Sequence, residues 1–177
     1  MYESEIKIID NFLTTEELQF IQEYFENPVW RFGLKATENS IGTMFRADLD
    51  DDKFFSEYLL SKICKQLKLS HVEAIDIHAN GQTVLNDGTW HQDFHKDGDF
   101  PRNLMWTVLL YVSDITSDNV EHLKGHTDIR MDDNSILSIE PLKNRLILFD
   151  SSRNHRGLGP GLPGFLRISI TYKLKKI

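Results

Sequence analysis

A chain of 177 residues, 40% hydrophobic and 27% charged, has the length and residue usage of one globular domain with a sizeable core. Its formal net charge of −7 excludes a broad face for duplex nucleic acid, because phosphate recognition rests on clustered Lys and Arg. No apolar run reaches the ~18 residues of a membrane span, no signal-peptide pattern opens the chain, and Cys64 is the single cysteine, so the expectation is a soluble, cytoplasmic protein with no membrane partner.

The apolar residues at 6–9 predict a short strand. Thr14 or Thr15 then offers an N-cap, Glu16 and Glu17 suit the positive end of a helix, and Leu18, Ile21 and Phe25 form one apolar stripe that stops at Pro28. Trp30 and Phe32 are expected to pack this helix on the rest of the domain. A second helix is expected over 52–69, where Phe55, Leu59, Ile63 and Leu67 recur every four residues and Cys64 widens the apolar face as a small core residue.

From residue 72 the period changes to two. Strands are expected at 72–78, 83–85, 90–94, 106–113, 136–139, 145–149 and 166–174, separated by Asp- and Gly-rich turns. The basic residues Lys173, Lys175 and Lys176 read as a solvated tail. Two amphipathic helices ahead of many short strands imply an α+β, mainly β domain: a jelly roll, or double-stranded β-helix, with the N-terminal helices packed on one outer face. The whole of 1–177 is read as one domain, 1–70 as helical support and 71–177 as the β-helix core.

His91 and Asp93 stand two apart at the end of an expected strand, so they share a face. Two histidines and one carboxylate with an open side is the ligand set of non-haem Fe(II) oxygenases. His-x-Asp occurs three times, at His91/Asp93, His95/Asp97 and His126/Asp128, and is weak without a distant partner. His155 offers one, in a polar turn after the apolar run 145–149. Twelve residues on, Arg167 lies on the polar face of the last strand with Ser169 and Thr171. A strand, loop and return strand would place His155 and Arg167 on adjacent antiparallel strands. If that face lines the barrel, Arg167 is a buried cation in need of an anion, and its planar fork suits a carboxylate. Thr107 and Tyr111 share one face of their own strand and offer hydroxyl donors to the same acid, the alternative for Tyr111 being an ordinary strand aromatic with its hydroxyl at the rim.

The pattern resembles the prolyl-4-hydroxylase-like branch of the 2-oxoglutarate/Fe(II)-dependent dioxygenases over most of the chain. The likeness is carried by IIDNFL at 8–13, NGQT at 80–83, Asp87-Gly88, Trp90, His91-x-Asp93, TVLLY at 107–111, the run 139–149 followed by DSS at 150–152, His155-Arg156-Gly157 and Leu166-Arg167-Ile168-Ser169. The resemblance implies that His91, Asp93 and His155 bind Fe(II) and that Arg167 holds the distal carboxylate of 2-oxoglutarate. From strand parity, Thr107, Tyr111 and Ser169 are expected to join Arg167 in the cosubstrate-binding set.

It further implies O2 as oxidant, ascorbate as a possible auxiliary reductant, release of succinate and CO2, and hydroxylation of a C–H bond in an unidentified peptide, protein or small molecule. Two departures stand out. His95/Asp97 repeats the first two ligands four residues later, and 118–130 lacks the Gly-Gly pair frequent in relatives, leaving His126 and Arg130 open as substrate contacts or a solvated hairpin. A cupin-like metalloenzyme without 2-oxoglutarate, or a jelly roll that only binds a ligand, would use the same fold.

Overall fold

A computed structural model describes residues 6–35, 43–93 and 104–177. A seven-stranded antiparallel sheet has the order β1 (Lys7–Ile9), β8 (Leu146–Asp150), β5 (Met105–Tyr111), β10 (Arg167–Lys176), β4 (Val72–Gln82), β3 (Met44–Asp48), β2 (Arg31–Leu34). It faces a three-stranded sheet in which β6 (Thr127–Arg130) lies between β7 (Ile136–Ile139) and β9 (His155–Gly157). This is the expected jelly roll.

Helix α1 (Thr15–Phe25) starts as its sequence dictates. Thr14 Oγ1 accepts from the Glu17 amide at 3.3 Å, and the Glu17 carboxylate accepts from the Thr14 amide at 2.7 Å, which satisfies two orphan donors at once. Thr14→Ala is expected to lower the unfolding free energy by about 1 kcal/mol, read as a lower urea midpoint at unchanged slope. The second helical segment opens with a π-helical turn (Phe54–Leu59) and continues as α2 (Leu60–Leu67).

Side-chain parity in the strands separates two cores. Val108 and Leu110 of β5, Leu146 and Leu148 of β8, and Ile170, Tyr172 and Leu174 of β10 point outward onto Ile21, Phe25, Phe55, Leu59, Ile63 and Leu67 of the helical layer. The Tyr172 hydroxyl donates to the Phe55 carbonyl at 3.0 Å. The opposite parity, Leu109, Tyr111, Ile147 and Phe149, packs against Ile129 and Ile139 of the small sheet. Helices on one outer face free the inner face to line a cavity.

Several strand expectations need correction. Residues 83–85 form a turn, and of 90–93 only His91 is bridged to another strand; Phe94 lies outside the described residues. Strands β2, β3, β6 and β9 were not expected. Trp30 packs on the core as expected, with its indole N–H bonded to the Phe25 carbonyl at 3.1 Å. Phe32 instead sits 63% exposed on the edge strand β2, paired with Phe45 of β3. Lys173, Lys175 and Lys176 belong to β10, and Lys173 lines the cavity; they are not a solvated tail. Among the described residues no helix is long and apolar enough to cross a membrane.

Candidate active site

His91, Asp93 and His155 meet because β9 bridges to the segment before the undescribed stretch. The His91 amide donates to the His155 carbonyl at 3.0 Å and the His155 amide to the His91 carbonyl at 2.9 Å, while the Asp93 amide donates to the Ser151 carbonyl at 3.0 Å. One ligand atom from each of the three side chains lies within 4.8 Å of the others. His91 Nδ1 is 2.9 Å from the Thr89 carbonyl and His155 Nδ1 is 3.0 Å from the Arg153 carbonyl. A carbonyl only accepts, so each Nδ1 carries the proton and each Nε2 keeps a free lone pair.

Burial pushes the His91 imidazole pKa down, reinforced by neighbouring His155, which favours the neutral ring that a metal requires. Burial also opposes ionisation of Asp93, but nearby positive charge, with the Lys173 ammonium 3.3 Å away, outweighs it and holds the carboxyl well below its ordinary range. Thr107 Oγ1 donates to Asp93 Oδ2 at 2.9 Å and lies 2.9 Å from Ser151 Oγ. Two imidazole Nε2 atoms and one ionised carboxylate, all aimed at one point, fit ferrous iron. A closed structural zinc site fits worse: it would want a fourth ligand, commonly Cys, and Cys64 is on α2.

Along β10 and β4 the cavity wall is a ladder of facing pairs: Arg167 with Gln82, Ser169 with Asn80, Thr171 with His78 and Lys173 with Asp76. Arg167 is 2% exposed. Its Nε donates to the Gly125 carbonyl (2.6 Å), Nη1 to Gln82 Oε1 (2.7 Å) and Ser169 Oγ (3.4 Å), and Nη2 to Thr127 Oγ1 (2.9 Å). The Tyr111 ring lies 5.3 Å from the guanidinium, and its hydroxyl donates to Thr127 Oγ1 at 2.7 Å. All of these partners are neutral. A buried cation held by dipoles alone, with no carboxylate among its described partners, suits an anionic ligand.

The expected residues therefore divide. His91, Asp93, His155, Arg167 and Ser169 line one cavity of about 120 Å³. Tyr111 stands behind Arg167, and Thr107 reaches Asp93 instead of the acid pocket. His155 and Arg167 lie on opposite sheets facing across the cavity, not on adjacent strands: the 158–166 connection crosses from one sheet to the other. His95 and Asp97 lie outside the described residues.

Sequence reasoning missed Gln82, Gly125, Thr127 and Lys173. The 118–130 stretch forms a helical turn (Val120–Leu123) and β6, and its Gly125 and Thr127 cradle Arg167. His126 lines a separate groove, and Arg130 lies over the Trp90 ring at 5.1 Å. Gly125 has φ +82°, and a Cβ there would come within 3.0 Å of Arg167 Cδ. Gly125→Ala is expected to push the guanidinium out of register and to weaken binding of a dicarboxylic acid at least several-fold, measured by calorimetric titration.

A family model described as the 2OG-Fe(II) oxygenase superfamily matches residues 80–173, slightly over half of the chain. A search of curated proteins finds no significant match. Among solved structures, the fold is similar to that of a Trichoplax adhaerens prolyl hydroxylase in complex with a hypoxia inducible factor peptide fragment (TM-score 0.72, 21% identity, 97% of this chain and 83% of that one). It is also similar to a Pseudomonas putida prolyl-4-hydroxylase (TM-score 0.68, 17% identity, 98% and 94%). A third likeness is to HygX from Streptomyces hygroscopicus with nickel, 2-oxoglutarate and hygromycin B bound (TM-score 0.71, 11% identity, 98% and 83%).

Proposed function

Because this chain belongs to the 2OG-Fe(II) oxygenase superfamily, an Fe(II)- and 2-oxoglutarate-dependent enzyme, we propose that His91, Asp93 and His155 hold its iron and that Arg167 anchors the distal carboxylate of its cosubstrate. The observation that carries this reading is the shared cavity, in which three convergent donors face a buried arginine with neutral partners only. Iron supplies O2 activation and oxidation of a substrate C–H bond, coupled to conversion of 2-oxoglutarate to succinate and CO2.

The chain's own residues do the positioning. Thr89 and Arg153 fix the two imidazole tautomers through their carbonyls, and Thr107 fixes the Asp93 carboxylate. Gln82, Thr127, Ser169 and Gly125 hold the guanidinium, and Tyr111 steadies Thr127 from behind. In this reading residues 1–177 act as one catalytic domain, with the helices buttressing the sheet that carries Arg167. The reaction is hydroxylation of a peptide or protein residue, with prolyl as the first candidate, or of a small molecule. The formal charge of −7 argues against duplex nucleic acid as substrate, and the lone Cys64, half-buried on α2, suits a reducing cytoplasm in which ferrous iron persists.

The direct test is anaerobic loading with Fe(II), followed by air, 2-oxoglutarate and ascorbate, with succinate as the readout. Iron-dependent succinate supports the assignment. If wild type yields none and Mn(II) does not promote 2-oxoglutarate binding, the cupin-like or ligand-binding alternatives take its place.

A further inference from the structure

The cavity is strongly basic in an acidic protein. Its lining carries Lys35, Arg46, Arg167 and Lys173 against one carboxylate, Asp93, although the formal charge of the chain is −7. The iron end is neutral once assembled, because the dication and Arg167 balance Asp93 and the 2-oxoglutarate dianion. Lys35, Arg46 and Lys173 are not needed for that balance.

They lie toward the other end of the ladder. Arg167 and Lys173 are both inward residues of β10, six positions apart, roughly 20 Å along an extended strand. Lys173 Nζ is 3.3 Å from Asp93 Oδ1 and 3.5 Å from Asp76 Oδ2, so it stands beside the triad on the side away from Arg167. Asp76 also accepts from Arg46 at 2.7 Å and lies 3.0 Å from His78 Nδ1. One carboxylate is thus shared by two cations and an imidazole, and the other carboxylate on Arg46, Asp48, is also claimed by Arg31. When a metal takes the charge of Asp93, this shared carboxylate is the anionic partner left to Lys173 among the described residues. Lys173 is 23% and Arg46 26% exposed, which leaves both ammonium and guanidinium reachable from the cavity yet partly desolvated, where an ion pair gains most.

We propose that Lys173, assisted by Arg46, is the specificity determinant for a substrate that presents a carboxylate beside the C–H bond to be oxidised. The proposal rests on the ligand and cosubstrate assignment above. A free organic or amino acid and the C-terminal or side-chain carboxylate of a peptide offer the same chemistry.

The experiment uses full-length protein saturated with Mn(II) and 2-oxoglutarate, so that nothing turns over, and measures binding by ligand-observed NMR and calorimetry. One arm titrates free amino acids and small organic acids, each beside its primary amide. The other titrates short proline-containing peptides with a C-terminal acid or amide. At least one acid is expected to bind 10- to 100-fold tighter than its amide; the arm in which it appears identifies the source. In Lys173→Gln the acid-to-amide ratio is expected to fall to near unity, and in Lys173→Arg to persist. The ratio is taken within each variant, so any effect of Lys173 on Asp93 and the metal cancels.

Equal binding of acids and amides to wild type overturns the proposal, as does no binding in either arm or a ratio that survives Lys173→Gln. Failure of wild type to take up Mn(II) and 2-oxoglutarate overturns the underlying assignment first, and is seen before any acid is added.

Discussion

Arg167→Ala is expected to lower 2-oxoglutarate affinity by about 100- to 1,000-fold and to abolish succinate formation at cosubstrate concentrations that saturate wild type. The magnitude follows from two charge-assisted hydrogen bonds to one carboxylate at about 1.5–3 kcal/mol each, partly offset by solvent that enters the vacated space. The effect should fall on KM for 2-oxoglutarate, since Arg167 touches neither the triad nor the substrate end of the cavity. High cosubstrate should therefore restore part of the rate. The variant is also expected to be no less stable than wild type without cosubstrate: it removes a fully buried cation whose pKa burial pushes down, and the Gln82 and Thr127 acceptors it frees line the cavity. A thermal melt with and without 2-oxoglutarate separates the two effects. Wild type should gain several degrees from the ligand and Arg167→Ala none. Unchanged 2-oxoglutarate affinity in Arg167→Ala would move the anchor to Lys173 or Arg46.

The features legible in the sequence were those set by local periodicity. The capping of α1 by one of two threonines, the four-residue stripe of Phe55 to Leu67 and the parity of β5 and β10 follow from the chain itself, because each face of an element meets its own surroundings. Parity alone placed Arg167, Ser169 and Thr171 on one polar face, and the pairing of β10 with β4 turns that face to the cavity. The same parity reached Lys173, but its position in a run of C-terminal lysines masked the signal, and the ten-residue length of β10 became visible only from its pairing with β4. Strands β2, β3 and β9 are short or carry charged residues, and their hydrogen bonds rather than their hydrophobicity define them. Gln82, Gly125 and Thr127 come from three separate stretches, and only the closure of the two sheets brings them to one guanidinium. Thr107 was expected at the cosubstrate because its strand face was right. Its register opposite Phe149 instead places it near Ser151 and Asp93, and register is the quantity that a single strand does not encode.

Asp93→Ala is expected to abolish succinate formation and to weaken Mn(II) and Fe(II) binding by on the order of 100-fold or more, a loss larger than the ~10- to 100-fold expected of an outer hydrogen-bond partner such as Thr107. The asymmetry has a charge origin. Asp93 is the one anionic member of the ligand group, and each imidazole commits its Nδ1 to a backbone carbonyl and leaves Nε2 for the metal. Removing the carboxylate leaves the metal with two imidazole donors and a nearby Lys173 ammonium that must share Asp76 with Arg46. Repulsion from that ammonium adds to the lost bond, so Asp93→Ala combined with Lys173→Gln should recover part of the metal affinity. A single-residue ligand loss without electrostatic coupling would show no such recovery. Metal titration of both variants, with Asp97→Ala alongside, separates the cases. Asp97→Ala as the metal-deficient variant, with Asp93→Ala unimpaired, would transfer the ligand role to His95 and Asp97. The convergence of His91, Asp93 and His155 argues for the opposite result, because protein groups alone, Thr107, Ser151 and the Thr89 and Arg153 carbonyls, orient this triad, and a set oriented by its own surroundings binds at a lower ordering cost.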